Sequence, residues 1–302
     1  MLSPKIIYEW QEKTGLKNPY HSEHDLLLEN CIVNLYANDF LKDKVAFKGG
    51  TALHKLYLKS NLRFSEDIDL SQIYLGRRIG STLGEIRKAI NFFHDRPKSD
   101  LGELGSKLFY QYDSFQKKGN NQEDVKTLKI EINTREHFSV LGFVIIRHEI
   151  NNPYIQKTVD ITTYRLNELV GQKLGALYQR SKGRDLFDVY YAKDHQDFDI
   201  EEIARCFSLY IPFKSIRRPY LNKHPVHPTF KQFMNNLQKK EYSENFNKNI
   251  NALERRDLIY EKGQSFHWMM TEFLPDLYDA LSKLKEKNID NKIETDNRIG
   301  WT

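Results

Sequence analysis

Apolar positions recur at helical spacing over residues 3–14 and again over 22–43. In the second stretch Leu27, Leu28, Cys31, Ile32, Leu35 and Tyr36 form one stripe. The pattern then changes. VAF (45–47) reads as a short strand closed by Gly49-Gly50, a helix over about 51–59 turns Leu53, Leu56 and Tyr57 inward, and Asp67 to Ile73 reads as the next strand. Residues 81–95 carry a helical pattern and KLFYQYDSF (107–115) a strand pattern. TLKIEINT (127–134) alternates cleanly, with Leu128, Ile130 and Ile132 on one face and Lys129, Glu131 and Asn133 on the other. FVIIRHEI and KTVDITT supply two further strands, separated by the turn signal Asn151-Asn152-Pro153.

Beyond Tyr164 the texture becomes helical. Residues 164–180 and 184–194 form a pair, and helices joined by loops follow from about Ile200. IPFKSIRRPYLNKHPVHP (211–228), rich in proline and basic residues, reads as a loop-rich connector. The order predicts a mixed α/β (α+β) domain over residues 1–195 and an all-helical domain over 196–302.

Composition narrows the class. Across 302 residues, 39% apolar and 13% aromatic content can build a real core, which excludes a disordered chain. No uninterrupted apolar run is long enough to span a bilayer, and MLSPKIIYEWQEKTG lacks a signal-peptide core. Cys31 and Cys206 lie far apart with no CxxC, so zinc is not indicated, and reduced thiols in a cytoplasmic protein are expected. The net charge of +5 permits a polyanionic partner without requiring one.

The chemistry concentrates near Asp67-Ile68-Asp69-Leu70. On a strand the two aspartates share one face while Ile68 and Leu70 share the other. Two carboxylates about 6 Å apart repel by roughly 3 kcal/mol at an effective dielectric of about 20. A divalent cation reverses that sign, and Mg²⁺ favours carboxylate oxygens together with phosphates. An isolated DxD is more often a solvated strand edge than a metal site, since short motifs match by chance. Upstream, Gly49-Gly50-Thr51 lies where a strand gives way to a helix, a setting in which free N–H groups attract phosphate, although alone it is also a threonine-capped turn. Lys173 falls on the buried stripe of its helix, beside Val170, where its stem either snorkels to the rim or its ammonium meets an anion. Asp185 and Asp188 share a face of the following helix.

KGGTAL followed by RFSEDIDL resembles the AbiEii/AbiGii family of nucleotidyltransferase toxins, whose fold is related to DNA polymerase β. Gly50-Thr51 fits the family's first motif, with threonine where serine is usual. Asp67-Ile68-Asp69 fits the second, and Lys173 to Leu177 the third. Arg180-Ser-Lys-Gly-Arg184-Asp185-Leu-Phe-Asp188 fits the fourth, with arginine in place of lysine. The resemblance implies a polymerase β-like domain with a mixed sheet and transfer of a nucleoside monophosphate from an NTP, with Mg²⁺ or Mn²⁺ held by Asp67 and Asp69. It further implies that Lys48, Gly49, Gly50 and Thr51 cradle phosphates, that Lys173 meets the triphosphate and that Asp185 belongs to the catalytic set. A third carboxylate is expected, with Glu131 the candidate and Asp160 its rival. Arg63 and Ser65 flank the DxD strand; either is a candidate phosphate contact, or Arg63 merely neutralises Glu66. The implied partners are tRNA or another RNA and a cognate antitoxin, with no membrane. Lys214, Arg217, Arg218 and Lys223, interleaved with Tyr210, Phe213 and Tyr220, suit RNA contact or a solvated loop equally. Transfer to a small molecule or protein side chain, and nucleotide binding without turnover, are the competing functions.

Overall fold

The computed structural model describes residues 2–58, 63–74, 79–102, 105–115, 124–216, 227–251 and 262–286, side chains of 212–216 and 248–251 excepted. The chain divides into two compact units. One comprises Met1–Phe138 and Phe143–Tyr164; the other takes Ser139–Gly142 and the helices from Arg165 onward.

In the first unit, α1 (Pro4–Thr14) starts at a proline and ends at Gly15, whose φ of 70° suits a left-handed cap. Helix α2 (Pro19–Tyr36) is capped by Asn18, whose side chain accepts the Tyr20 N–H. It stops at Tyr36, short of the expected residue 43, because the Asn38 side chain captures the N–H groups of Phe40 and Leu41 and turns the chain. Helix α4 (Ile79–Ala89) likewise ends before the expected residue 95. Its continuation packs Phe93 at 5.0 Å from Tyr110 instead of extending the helix.

The strands are β1 (Val45–Lys48), β2 (Asp67–Gln72), β3 (Lys98–Gly102), β4 (Gly105–Asp113), β5 (Val125–Asn133), β6 (Phe143–Asn151) and β7 (Gln156–Tyr164). They form a seven-stranded sheet in the order β3-β4-β5-β2-β1-β7-β6. β2 runs parallel to β5 and β1 parallel to β7, while the other pairs are antiparallel. Strand β3 is fully exposed and lacks the apolar alternation that would have announced it.

One face of the central strands is dry. Phe47, Ile68, Leu70, Leu108, Leu128, Ile130 and Ile132 are buried there, and α2 packs on it. A buried ion network holds α2 in place. Lys55 lies 2.7 Å from Asp25 and 2.9 Å from Glu29, Trp10 donates to Asp25, and Asn152 donates to Glu29. Burial favours the neutral amine, yet the two carboxylates outweigh it and raise the Lys55 pKa.

The second unit contains α5 (Leu166–Gln179), α6 (Gly183–Ala192), α7 (Ile200–Ile216), α8 (Phe230–Glu241), α9 (Glu244–Asn251) and α10 (Lys262–Trp268). A turn of π-helix (Met269–Phe273) joins α10 to α11 (Leu274–Glu286). Gly171 lets α5 approach α7 closely: a Cβ there would stand 2.7 Å from the Cys206 Cβ. Helices α5 and α6 thus group with α7 to α11, whereas the texture of the sequence put the division near residue 195. The first part of the expected connector is helical, since α7 runs to Ile216. Arg217, Arg218, Tyr220 and Lys223 lie outside the described residues, as do the side chains of Phe213 and Lys214. Among the described residues no helix is long and apolar enough to cross a membrane.

Candidate active site

The opposite face of the sheet carries charge, and strand register arranges it. Lys48, Asp69, Glu131, Lys107 and Asp100 stand side by side across β1, β2, β5, β4 and β3. In the row beside them, Asp67 of β2 stands opposite Lys129 of β5. Both aspartates are half-buried while Ile68 and Leu70 are fully buried, so the alternation expected of DIDL holds. Glu131 is therefore the immediate neighbour of Asp69 on the same face. Asp160 is not: it lies exposed on β7 opposite Arg147. Thr163 is level with Phe47, which leaves Asp160 about 13 Å down the strand from the level of Lys48 and Asp69.

Lys129 bridges the acids. Its Nζ is 3.0 Å from Asp67 Oδ2 and 3.2 Å from Glu131 Oε2. Partial burial lowers the lysine pKa, but the two acids raise it further, and the net shift is upward. Among the described residues no group of three or more His, Cys, Asp and Glu side chains is gathered closely enough to hold a metal ion, so Asp67, Asp69 and Glu131 share a face without converging. The donor set nevertheless fits a hard cation: these oxygens already share an ammonium. Mg²⁺ is commonly held by one or two carboxylates, with phosphates and water completing the shell.

The glycine pair forms the first turn of α3 (Gly49–Ala52), which passes into a π turn over Leu53–Leu58. Gly49 has φ +77°, and a Cβ at this position would stand 2.3 Å from Asp69 Oδ2. Only glycine allows the helix start to approach that carboxylate. Gly49→Ala is expected to cost about 2–3 kcal/mol of stability, from a strained φ plus a displaced Asp69. Urea denaturation measures it, and a cost below about 0.5 kcal/mol would mean that the turn simply moves aside.

Thr51 Oγ1 donates to the Asp67 carbonyl at 2.7 Å, so its hydroxyl ties the helix to the DxD strand and leaves anion contact to the backbone. Lys48, at the N-cap, makes no side-chain bond to the first turn; its ammonium pairs with Glu136 and lies 5.6 Å from the Tyr164 ring. Arg63 and Ser65 are buried, and Arg63 Nη1 donates to the Phe64 carbonyl at 3.0 Å. Glu136 was missed in the sequence. Asn133 positions it by accepting the Arg135 and Glu136 N–H groups, a turn signal too local to reveal a partner on β1.

In the second unit the remaining motif residues form a buried cluster of their own. Lys173 Nζ is 2.8 Å from Asp188 and 3.4 Å from Asp185, and Arg180 makes a two-point contact with Asp185 at 2.7 and 2.8 Å. Both aspartate side chains are fully buried. For Asp185 burial raises the pKa, but Lys173 and Arg180 prevail and the net shift is downward. Two further buried groups brace this unit without a sequence signal. Glu168 accepts from Ser139, Val140, Leu141 and Tyr210, and Lys240 donates to the carbonyls of Leu177 and Tyr178 at the end of α5. Arg184 continues the motif on α6.

Comparison with known proteins bears on the fold and the family. The nucleotidyltransferase toxin MenT4 of Mycobacterium tuberculosis superposes with a TM-score of 0.54 at 15% identity, over 94% of this chain and 99% of that one. The mixed-sheet fold is therefore shared with MenT4. The family pattern described as nucleotidyl transferase AbiEii toxin, type IV toxin–antitoxin system, matches residues 33–279, and the chain belongs to that family. A search of curated protein sequences gives no match.

Proposed function

We propose that this nucleotidyltransferase toxin transfers a nucleoside monophosphate from an NTP to the 3′ end of tRNA, releasing pyrophosphate, and that a cognate antitoxin restrains it in the cytoplasm. The observation that carries the reading is the register that sets Asp67, Asp69 and Glu131 on one open face, with Asp69 against the Gly49 turn. Asp67 and Asp69, assisted by Glu131, would hold Mg²⁺. Bound there, the ion would supply Lewis acidity toward the α-phosphate and lower the pKa of the acceptor hydroxyl.

The chain's own groups do the positioning. The first turn of α3 offers backbone N–H groups to phosphate oxygens, and Gly49 and Gly50 let an anion come close. The Thr51–Asp67 hydrogen bond keeps that turn in register with the carboxylates. Lys48, fixed by Glu136, adds positive charge on the same face as Asp69. On the family pattern Lys173 neutralises nucleotide charge, and within its unit Asp185 and Asp188 hold its ammonium.

Incubating the protein with each labelled NTP and total tRNA, in parallel with small-molecule and protein acceptors, tests the proposal. Label on the tRNA 3′ end is the expected outcome. Label only on a small molecule or protein replaces the acceptor, and nucleotide binding without any transfer overturns the enzymatic reading.

A further inference from the structure

We propose that Lys129 is a built-in counter-cation that excludes free divalent metal from the carboxylate face until nucleotide arrives. The inference rests on the proposed metal role of Asp67, Asp69 and Glu131. The geometry is fixed by the backbone. Lys129 stands opposite Asp67 across β2 and β5, and two residues before Glu131 on the same face of β5. Its ammonium touches both acids, at 3.0 and 3.2 Å, between two oxygens that a metal ion would have to approach.

Charge explains the coupling. Three neighbouring carboxylates invite a cation, and Lys129 already answers part of that demand. Of the neighbouring lysines, Lys48 is engaged by Glu136, and Lys107 stands opposite Glu131 and Asp100, in the row of Asp69. A divalent ion arriving alone must compete with that ammonium for Asp67 and Glu131. Arriving with a triphosphate, it brings the anion with it, and the displaced ammonium gains a partner. Metal and nucleotide therefore favour each other, and the coupling is reciprocal. The lysine side chain is 26% exposed, so it can swing aside without unfolding β5.

The test is Mn²⁺ binding, followed by electron paramagnetic resonance and calorimetry, with and without a non-hydrolysable NTP analogue. Lys129→Met is expected to bind free Mn²⁺ about tenfold more tightly than wild type, because a positive charge close to the ion is gone. Lys129→Arg keeps the charge and should stay within about twofold of wild type. With the analogue present, the advantage of Lys129→Met should shrink to less than about threefold. Lys129→Gln serves as the second neutral variant should the methionine protein fail to fold. Free-Mn²⁺ affinity unchanged or weakened in the neutral variants overturns the role of Lys129 while leaving the metal site standing. Absence of Mn²⁺ binding in every protein, even with the analogue, overturns the metal site itself.

Discussion

Asp69→Asn is expected to lower kcat/KM for nucleotidyl transfer by about a thousandfold while leaving the protein as stable as wild type, or slightly more so. The two halves of that result have separate causes. Loss of one of two carboxylates that hold an ion at a phosphoryl centre removes several kcal/mol of transition-state stabilisation, about 4 kcal/mol for a thousandfold. The folded protein, by contrast, loses a repulsion. Asp69 stands beside Glu131 and two residues from Asp67 on one half-buried face, and asparagine retains its shape against Gly49. A residue with a structural task would show activity and stability falling together. The measurements are a labelled-NTP assay and a thermal melt on the same preparation. Activity within tenfold of wild type would remove Asp69 from the catalytic set.

That arrangement was partly legible before the fold was known. The alternation of DIDL and TLKIEINT has period two, so local spacing alone put Asp67 and Asp69 on one face of their strand and Glu131 on the polar face of its own. Gly49-Gly50 announced a close approach, and the structure shows the approaching group to be the Asp69 carboxylate. What stayed closed was register between distant strands. The choice between Glu131 and Asp160 depends on β2 pairing with β5, and no residue within either strand records its neighbour. The same limit hid Lys129 and Glu136, ordinary charged residues until the sheet brings them to Asp67 and Lys48. Glu168 escaped for a different reason. A carboxylate in the first turn of a helix reads as favourable dipole chemistry, while its four donors come from residues 139–141 and from Tyr210.

Lys173→Met is expected to destabilise the second unit by about 3–5 kcal/mol, the largest stability loss among the substitutions considered. Asp188 and Asp185 are fully buried, and the lysine lies 2.8 and 3.4 Å from them. Removing one member of a buried ion cluster leaves the others in a medium that penalises charge. Arg180 still holds Asp185 by two hydrogen bonds but is itself nearly half exposed, so it compensates only in part. The loss should depend on pH, with a definite sign. In wild type the folded Asp185 pKa is depressed, so its contribution is present above the ordinary aspartate value near 3.9 and fades as pH falls through the depressed value. Without Lys173 the burial contribution grows in relative weight and the folded pKa moves upward. The mutant then gains stability relative to wild type as acid protonates Asp185. Urea denaturation at pH 7 and near pH 4 should therefore show the gap narrowing by more than about 1 kcal/mol. A gap of constant size would trace the loss to missing contacts of the lysine stem rather than to its charge.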